Sequence, residues 1–233
     1  MEQNQGNVTG AMPVEAIGVN ARARFITRTY NHLFGAILFF VAIELVLFTS
    51  GLAERIARAM LSVNWLFVLG GFVVVSWLAS RAAHRSVSLT TQYLALSGFV
   101  AAEAIIFVPL LYVANYHAPG AISSATLITL LAFAGLTGIA FWTRKDFSFL
   151  RGVLMFGGVL ALVAIVGGAV FGFQLGTWFM VGMVGIAGAA ILYDTSRIIH
   201  HYPEDRHVAA ALELFASVAL MFWYVLRLVM SRD

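Results

Sequence analysis

Two acidic side chains near the end of the chain have the types and spacing to share a proton. Asp194 lies at the end of one apolar segment, and Glu213 lies about two turns into the next. If the segments are antiparallel helices, both carboxylates fall in the same third of a membrane. Two carboxylates that approach each other cannot both ionise cheaply, so the pattern indicates a proton-sensitive latch or a proton-coupled site. The alternative is that Asp194 pairs with Arg197 while Glu213 faces headgroup water.

The last apolar segment carries a polar stripe. At about 100° per residue, four of its side chains fall within about 80° of one another on a helix. They are Glu213, Ser217, Tyr224 and Arg227. A polar stripe on a helix in lipid is expected to face the other helices. Ser217 is a candidate member of the site through this stripe, and Arg197 is a candidate through its place one turn after Asp194.

Two more acids fall inside apolar segments. A charged residue at the centre of a membrane helix costs on the order of 2.5–3.5 kcal/mol on insertion scales, so such groups face a partner, water or a pathway. Glu103 is the deepest, and Pro109 weakens the helix six residues later. Glu103 is either a relay carboxyl or a protonated link between helices. For Glu44, a structural role or partial contact with water is the favoured interpretation.

Metal, cofactor and catalytic sites have little support. His200, His201 and His207 surround acidic residues of one loop, but their spacing fits solvated or pH-titrating imidazoles better than a zinc site. The chain has no cysteine, no GxSxG motif and no phosphate-binding loop. We therefore predict neither a cofactor nor an enzymatic activity. No basic patch interleaved with aromatic residues indicates nucleic acid.

Composition identifies the elements that position these groups. Of the 233 residues, 61% are hydrophobic and 11% charged, with a mean hydropathy of +0.90. Soluble domains carry roughly 25% charged residues. Apolar runs of about 20 residues without period-two alternation predict spanning helices rather than a barrel. We predict an all-α polytopic membrane protein with lipid as its main partner. The seven predicted spans are residues 33–50, 64–80, 91–116, 121–143, 150–173, 178–199 and 208–230.

Charge predicts the orientation. With the N-terminus inside, ten of the basic residues lie in inner segments and four in outer ones, so the positive-inside rule favours a cytoplasmic N-terminus and a periplasmic C-terminus. Residues 1–27 are polar and lack an apolar period, which predicts a flexible cytoplasmic tail ahead of a membrane domain over residues 28–233. Residues 51–63 have charges on one side and predict a short amphipathic interfacial helix.

Several motifs resemble the Bax inhibitor-1 family of seven-helix membrane proteins. The most specific is AAILYDT at residues 189–195, followed by AALELF at residues 210–215. The sequences TRKDFSFL at residues 143–150, TSRIIH at residues 195–200 and the terminal SRD are similar to the bacterial YccA branch. The likeness covers the chain from about Arg22 to its end.

The resemblance implies a fold and two activities. The fold is a bundle whose last helix is central and wrapped by the other six. The activities are a pH-sensitive calcium leak and, in the YccA branch, restraint of the FtsH membrane protease. The leak uses two aspartates, one matching Asp194 and the other falling on Ser217, while Glu213 matches an acidic position one turn earlier. Because Ser217 has no carboxylate, a modulator of an FtsH-type protease in the bacterial inner membrane is the first expectation, and a cation leak that passes Ca²⁺ is the second.

Overall fold

The computed structural model describes residues 13–14, 18–85 and 88–231. Within them the chain forms eight helices, seven of which are long and apolar enough to cross a membrane. The helices are α1 (Val19–Thr49), α2 (Leu52–Ser62), α3 (Trp65–Arg85), α4 (Leu89–His117), α5 (Ala121–Thr143), α6 (Leu150–Phe171), α7 (Thr177–His200) and α8 (His207–Met230). The prediction of an all-α protein with seven spans is confirmed.

The first helix is longer than the apolar run that predicted it. It begins at Val19, so its first turns fall within the residues that were assigned to the tail. Residues 1–12 and 15–17, also part of that predicted tail, lie outside the described residues. The intervening Val14 is fully buried, and its N–H donates to the carbonyl oxygen of Tyr202 at 2.9 Å. The flexibility expected of the tail stays a prediction.

The short second helix has the expected amphipathic character. Gly51 adopts a positive φ of 74°, which a glycine tolerates without strain, and thereby lets the chain turn from α1 into α2. On one side of α2, Ala53 and Ala57 are buried in a small cluster with Val108 of α4. On the other side, Glu54 and Arg58 form an exposed ion pair. The position of α2 along the membrane interface remains a prediction.

The last helix lies at the centre of the bundle. In the most apolar 18-residue stretch of α8, 67% of the residues are buried, compared with 6% in the corresponding stretch of α6. In the described part of the chain α8 contacts α1, α3, α4, α5 and α7, but not α6, which contacts α7 and α3 instead. Five spans therefore surround α8, where six were expected. The sixth is separated from α8 by a cavity, which brings buried polar groups of α8 to an internal surface.

Candidate functional site

Glu213 accepts contacts from three other parts of the fold. Its Oε2 lies 2.5 Å from Nη1 of Arg197 and 2.5 Å from the hydroxyl of Tyr202. Its Oε1 lies 2.9 Å from Nε2 of His84. We call these four residues the Glu213 network. Since the Glu213 side chain is only 23% exposed, this network supplies most of the polar contacts that a carboxylate at this depth requires.

The residues of the Glu213 network lie close together because the helices that carry them end or begin at the same place. His84 lies in the last turn of α3, Arg197 in the last turn of α7, and Glu213 about two turns into α8. Tyr202 lies in the loop that joins α7 to α8. Because α3 and α7 end where α8 begins, the four side chains meet at one end of the bundle, which we call the α7–α8 end.

Two aromatic rings lie close to the guanidinium of Arg197. Its guanidinium carbon lies 4.6 Å from the ring centroid of Tyr202 and 5.5 Å from that of Tyr193, which are cation–π distances. Burial raises the pKa of Tyr202 well above its ordinary value. The Tyr202 hydroxyl therefore remains a donor towards Glu213 at any physiological pH.

Asp194 has a separate partner. The hydroxyl of Ser217, on α8, donates to Oδ2 of Asp194 at 2.5 Å, and both residues are buried. Arg197 pairs with Glu213 instead of with Asp194. The alternative in which Asp194 pairs with Arg197 and Glu213 faces only headgroup water is therefore wrong. Each of the two acids has its own set of contacts.

A cavity of about 1060 Å³ connects these groups. It lies among α3, α4, α6, α7 and α8, and it reaches from Arg197 near the α7–α8 end to Arg227 near the opposite end of α8. Most of its wall is apolar. Its wall also carries ionisable and hydroxyl groups, among them Glu103, Asp194, Arg197, Glu213, Ser217 and Arg227.

The two other intramembrane acids differ in position. Glu103 lines the cavity, is 7% exposed and makes no hydrogen bond or ion pair with any described residue. Glu44, on α1, is also buried, and neither of its carboxylate oxygens has a partner among the described residues. Glu44 does not line the cavity. Only Glu103 therefore shares an internal surface with Asp194 and Glu213.

The loop between α5 and α6 attaches to the end of α7. Asp146 accepts hydrogen bonds from the hydroxyl and backbone N–H of Ser148, at 2.6 and 2.9 Å, and its Oδ2 lies 3.0 Å from Nε2 of His201. The backbone N–H of Phe147 donates to the hydroxyl of Ser196 at 2.9 Å. The Ser148 hydrogen bonds, together with His201, lower the pKa of Asp146 to about 2. Residues 143–150 and 195–200, which were singled out separately in the sequence, thus contact each other.

The histidines do not form a metal centre. His200 contacts the carbonyl oxygen of Ser196, His201 contacts Asp146, and the ring of His207 lies 5.0 Å from that of His32. In the described part of the chain no group of three or more histidine or acidic residues is placed to hold a metal ion.

Sequence reasoning missed His84 and Tyr202. His84 belongs to the second predicted inner segment, and Tyr202 belongs to the loop before α8, so topology alone puts both on the same side of the membrane as Glu213. Nothing in their spacing indicates that they contact it. A search for uncharged hydrogen-bond donors and histidines near helix ends, on the same side of the membrane as a buried acid, would have identified them.

Comparison with known proteins identifies one family. The chain matches the family model described as "Inhibitor of apoptosis-promoting Bax1" over residues 22–233. An uncharacterized protein of Pseudomonas aeruginosa is 31% identical over 193 residues, which cover 80% of this chain and 84% of that protein.

Two further relatives match over shorter lengths. An uncharacterized membrane protein of Vibrio cholerae is 28% identical over 116 residues, covering 48% of this chain and 50% of the relative. An uncharacterized protein of Neisseria meningitidis serogroup A is 30% identical over 126 residues, covering 53% and 55%. These matches agree with a multi-pass membrane protein. The descriptions of the relatives name no transported substrate and no binding partner.

Proposed function

This chain belongs to the Bax inhibitor-1 family, and we propose that it forms a regulated cation leak in the bacterial inner membrane. The observation that carries the proposal is the cavity beside α8, whose wall includes Glu103, Asp194 and Glu213. Rings or rows of acidic side chains favour cations in membrane pathways, and intramembrane acids mark such pathways more often than they serve packing.

Closure is assigned to the α7–α8 end. There Arg197 neutralises Glu213 at 2.5 Å, and Ser217 donates to Asp194 at 2.5 Å. A fixed guanidinium in a narrow pathway repels cations by the same electrostatics that make acids attract them. We assign the closed state to the Arg197–Glu213 pair, since Asp194 and Glu213 have separate partners and do not require a shared proton.

The orientation follows from charge. Of the basic residues that the structure describes, ten lie at or near the α7–α8 end and three near the opposite end, so we place the α7–α8 end in the cytoplasm. Reporter fusions after Ser88, His117, Asp146 and Gln174 should read inside, outside, inside and outside, and a fusion after Asp233 should read outside. A cytoplasmic reading at Asp233 would overturn the orientation.

Flux measurements test the leak. Purified protein in liposomes that contain a calcium-sensitive dye should admit Ca²⁺ slowly, and Arg197→Gln should increase the initial rate at least threefold. An anion-sensitive dye in parallel liposomes should show no increase in chloride entry. Calcium entry no faster than in protein-free liposomes, for the unmodified protein and for Arg197→Gln, would contradict the proposal.

A second candidate function is modulation of an FtsH-type membrane protease, as a non-enzymatic partner. One observation favours it: Pro13 pairs with Pro203 of the α7–α8 loop, at the end of the bundle that we place in the cytoplasm. We propose that residues 1–12 serve as the handle for a cytoplasmic ATPase. Membership of the YccA branch is part of this proposal.

Crosslinking tests this second candidate. FtsH should be recovered with the protein from crosslinked native membranes, and its recovery should fall when residues 1–12 are deleted. Overproduction of the full chain should slow the turnover of FtsH substrates. The absence of FtsH from the crosslinked material, together with unchanged turnover, would exclude the interaction.

A further inference from the structure

Glu103 is a buried carboxyl in the cavity that has no partner among the described residues. It is 7% exposed, lines the cavity wall and makes no hydrogen bond or ion pair with the described residues. An ionisable group at such a depth is expensive unless something compensates it. The proposed leak counts Glu103 among the acids of the cavity wall, but its closure does not use this residue. The described residues supply no compensating partner, and a bound cation would supply one.

Five aromatic rings line the same cavity as this carboxyl. Phe99 and Phe107 lie one turn before and after Glu103 on α4, and both line the cavity with it. The ring of Phe72 lies 6.2 Å from that of Phe99, and the ring of Trp223 lies 4.9 Å from that of Phe107. Trp65 in turn stacks on Trp223 at 6.0 Å. We call the five rings the aromatic wall, and all five line the cavity.

We propose that this part of the cavity binds an organic cation with an apolar body, such as a quaternary ammonium or phosphonium ion. Aromatic faces attract large, weakly hydrated cations, and one carboxylate adds a charge partner in a medium of low dielectric. Calcium requires about six to eight oxygen ligands, which the aromatic wall does not supply. A cavity of about 1060 Å³ has room for a drug-sized cation.

Most of the other charges of the cavity agree with this assignment. Arg197 is already paired with Glu213, so these two groups compensate each other. Asp194 accepts a hydrogen bond from neutral Ser217 and forms no ion pair within the described residues. Arg227 lies about 15 Å beyond Ser217 along α8 and one turn beyond Trp223. This positive charge therefore lies away from Asp194, beside the Trp223 end of the aromatic wall.

The test compares two probes of the same shape and opposite charge. Tetraphenylphosphonium and tetraphenylborate are titrated into the purified full-length protein in a neutral detergent, with binding followed by calorimetry and by tryptophan fluorescence. Trp65 and Trp223 of the aromatic wall should report the event. The phosphonium should bind at least tenfold more tightly than the borate. Equal affinities would show that the cavity binds apolar molecules, including lipid, without regard to charge, and would overturn the proposal.

Variants locate the site. Glu103→Gln should weaken phosphonium binding at least tenfold without changing borate binding, and Glu44→Gln should change neither. Glu44 is the matched control because it is a second buried, unpartnered glutamate that does not line the cavity. Phosphonium affinity within twofold of the unmodified protein in Glu103→Gln would contradict the proposal, as would no phosphonium binding at all. The inference is independent of the leak, since binding does not require passage.

Discussion

Nη1 of Arg197 lies 2.5 Å from Oε2 of Glu213, so the arginine that follows Asp194 by one turn of α7 pairs with the acid of the neighbouring helix. The pair joins the end of α7 to the beginning of α8, the two spans with the most extensive contact in the fold. It lies where the cavity approaches the α7–α8 loop. An ion pair in this position can both stabilise the helix pair and obstruct the path beside it.

Double-mutant cycles should show that the two residues act together. Arg197→Gln and Glu213→Gln should each lower the free energy of unfolding by about 1.5–3 kcal/mol, because each leaves a partly buried charge without its hydrogen-bonded partner. The double variant should lose less than the sum of the two. Thermal unfolding in detergent measures the effect. Additive losses would mean that the contact does not stabilise the protein.

An exposed pair provides the control for that cycle. Arg58 pairs with Glu54 on the surface of α2, where solvent screens the interaction. Arg58→Gln should therefore leave the unfolding temperature nearly unchanged. A loss comparable to that of Arg197→Gln would indicate a general effect of removing arginine.

Tyr202→Phe should weaken the Glu213 network by removing the donor that the α7–α8 loop supplies. The hydroxyl of Tyr202 donates to Glu213, and burial raises its pKa well above the ordinary value, so the donor is present throughout the physiological range. Its removal should cost about 1.5–3 kcal/mol of stability, the range for hydrogen bonds to charged groups. Calcium entry into liposomes should also increase.

Tyr193→Phe is the matched control for Tyr202→Phe. Its ring also lies near Arg197, but Tyr193 makes no hydrogen bond to Glu213 among the described contacts. Stability and flux should therefore stay near those of the unmodified protein. Equal effects of the two substitutions would show that the ring packing, rather than the Glu213 hydrogen bond, determines the result.

The pH dependence of stability should reflect Asp146 in the α5–α6 loop. The Ser148 hydrogen bonds and His201 lower its pKa to about 2, below the ordinary value of about 3.9. A depressed pKa in the folded state means that the ionised form stabilises the fold above about pH 4, and that this contribution is lost as the pH falls from about 4 to about 2. Asp146→Asn should therefore lower the unfolding temperature at pH 6 and have little effect near pH 2.

Ser148→Ala supplies an independent check on Asp146. It removes the hydroxyl donor while keeping the carboxylate, so it should also destabilise the protein at pH 6, by less than Asp146→Asn. If the difference between Asp146→Asn and the unmodified protein were the same at pH 6 and pH 2, the carboxylate charge would not contribute to stability.

Hydropathy predicted the spans because lipid leaves helices as the only economical conformation for such apolar runs. It did not predict the start of α1, since Arg22, Arg24 and Arg28 interrupt the apolar pattern without interrupting the helix. The membrane constrains which residues are apolar, but a helix can extend beyond it. The polar stripe on α8 likewise located Glu213 and Ser217 but could not choose their partners.

The partners required the three-dimensional arrangement. His84 is brought to Glu213 by the end of α3, and no spacing along the chain encodes that contact. His84 therefore adds to the site an imidazole that sequence reasoning did not include.

Ser217→Asp should add a stronger pH response. It places a second carboxylate where the serine hydroxyl now donates to Asp194, and two carboxylates in contact cannot both ionise cheaply. Calcium flux should then rise with pH more steeply than in the unmodified protein, and Asp194→Asn in the same background should remove the added slope. Ser217→Ala, which introduces no charge, should not create it. An unchanged slope in Ser217→Asp would show that this position does not control the pathway.

The most direct test of closure by the Arg197–Glu213 pair is calcium entry into liposomes with the charges exchanged. Arg197→Glu should raise the initial rate at least threefold over the unmodified protein, because it replaces the guanidinium that repels cations with a second acid beside Glu213 at the α7–α8 end. Glu213→Arg should not raise the rate, since it adds a second guanidinium to the pathway. The double exchange should return the rate to within about twofold of the unmodified protein, since the opposite charges face each other again. A double exchange that leaks as fast as Arg197→Glu, or an Arg197→Glu variant that leaks no faster than the unmodified protein, would contradict the account.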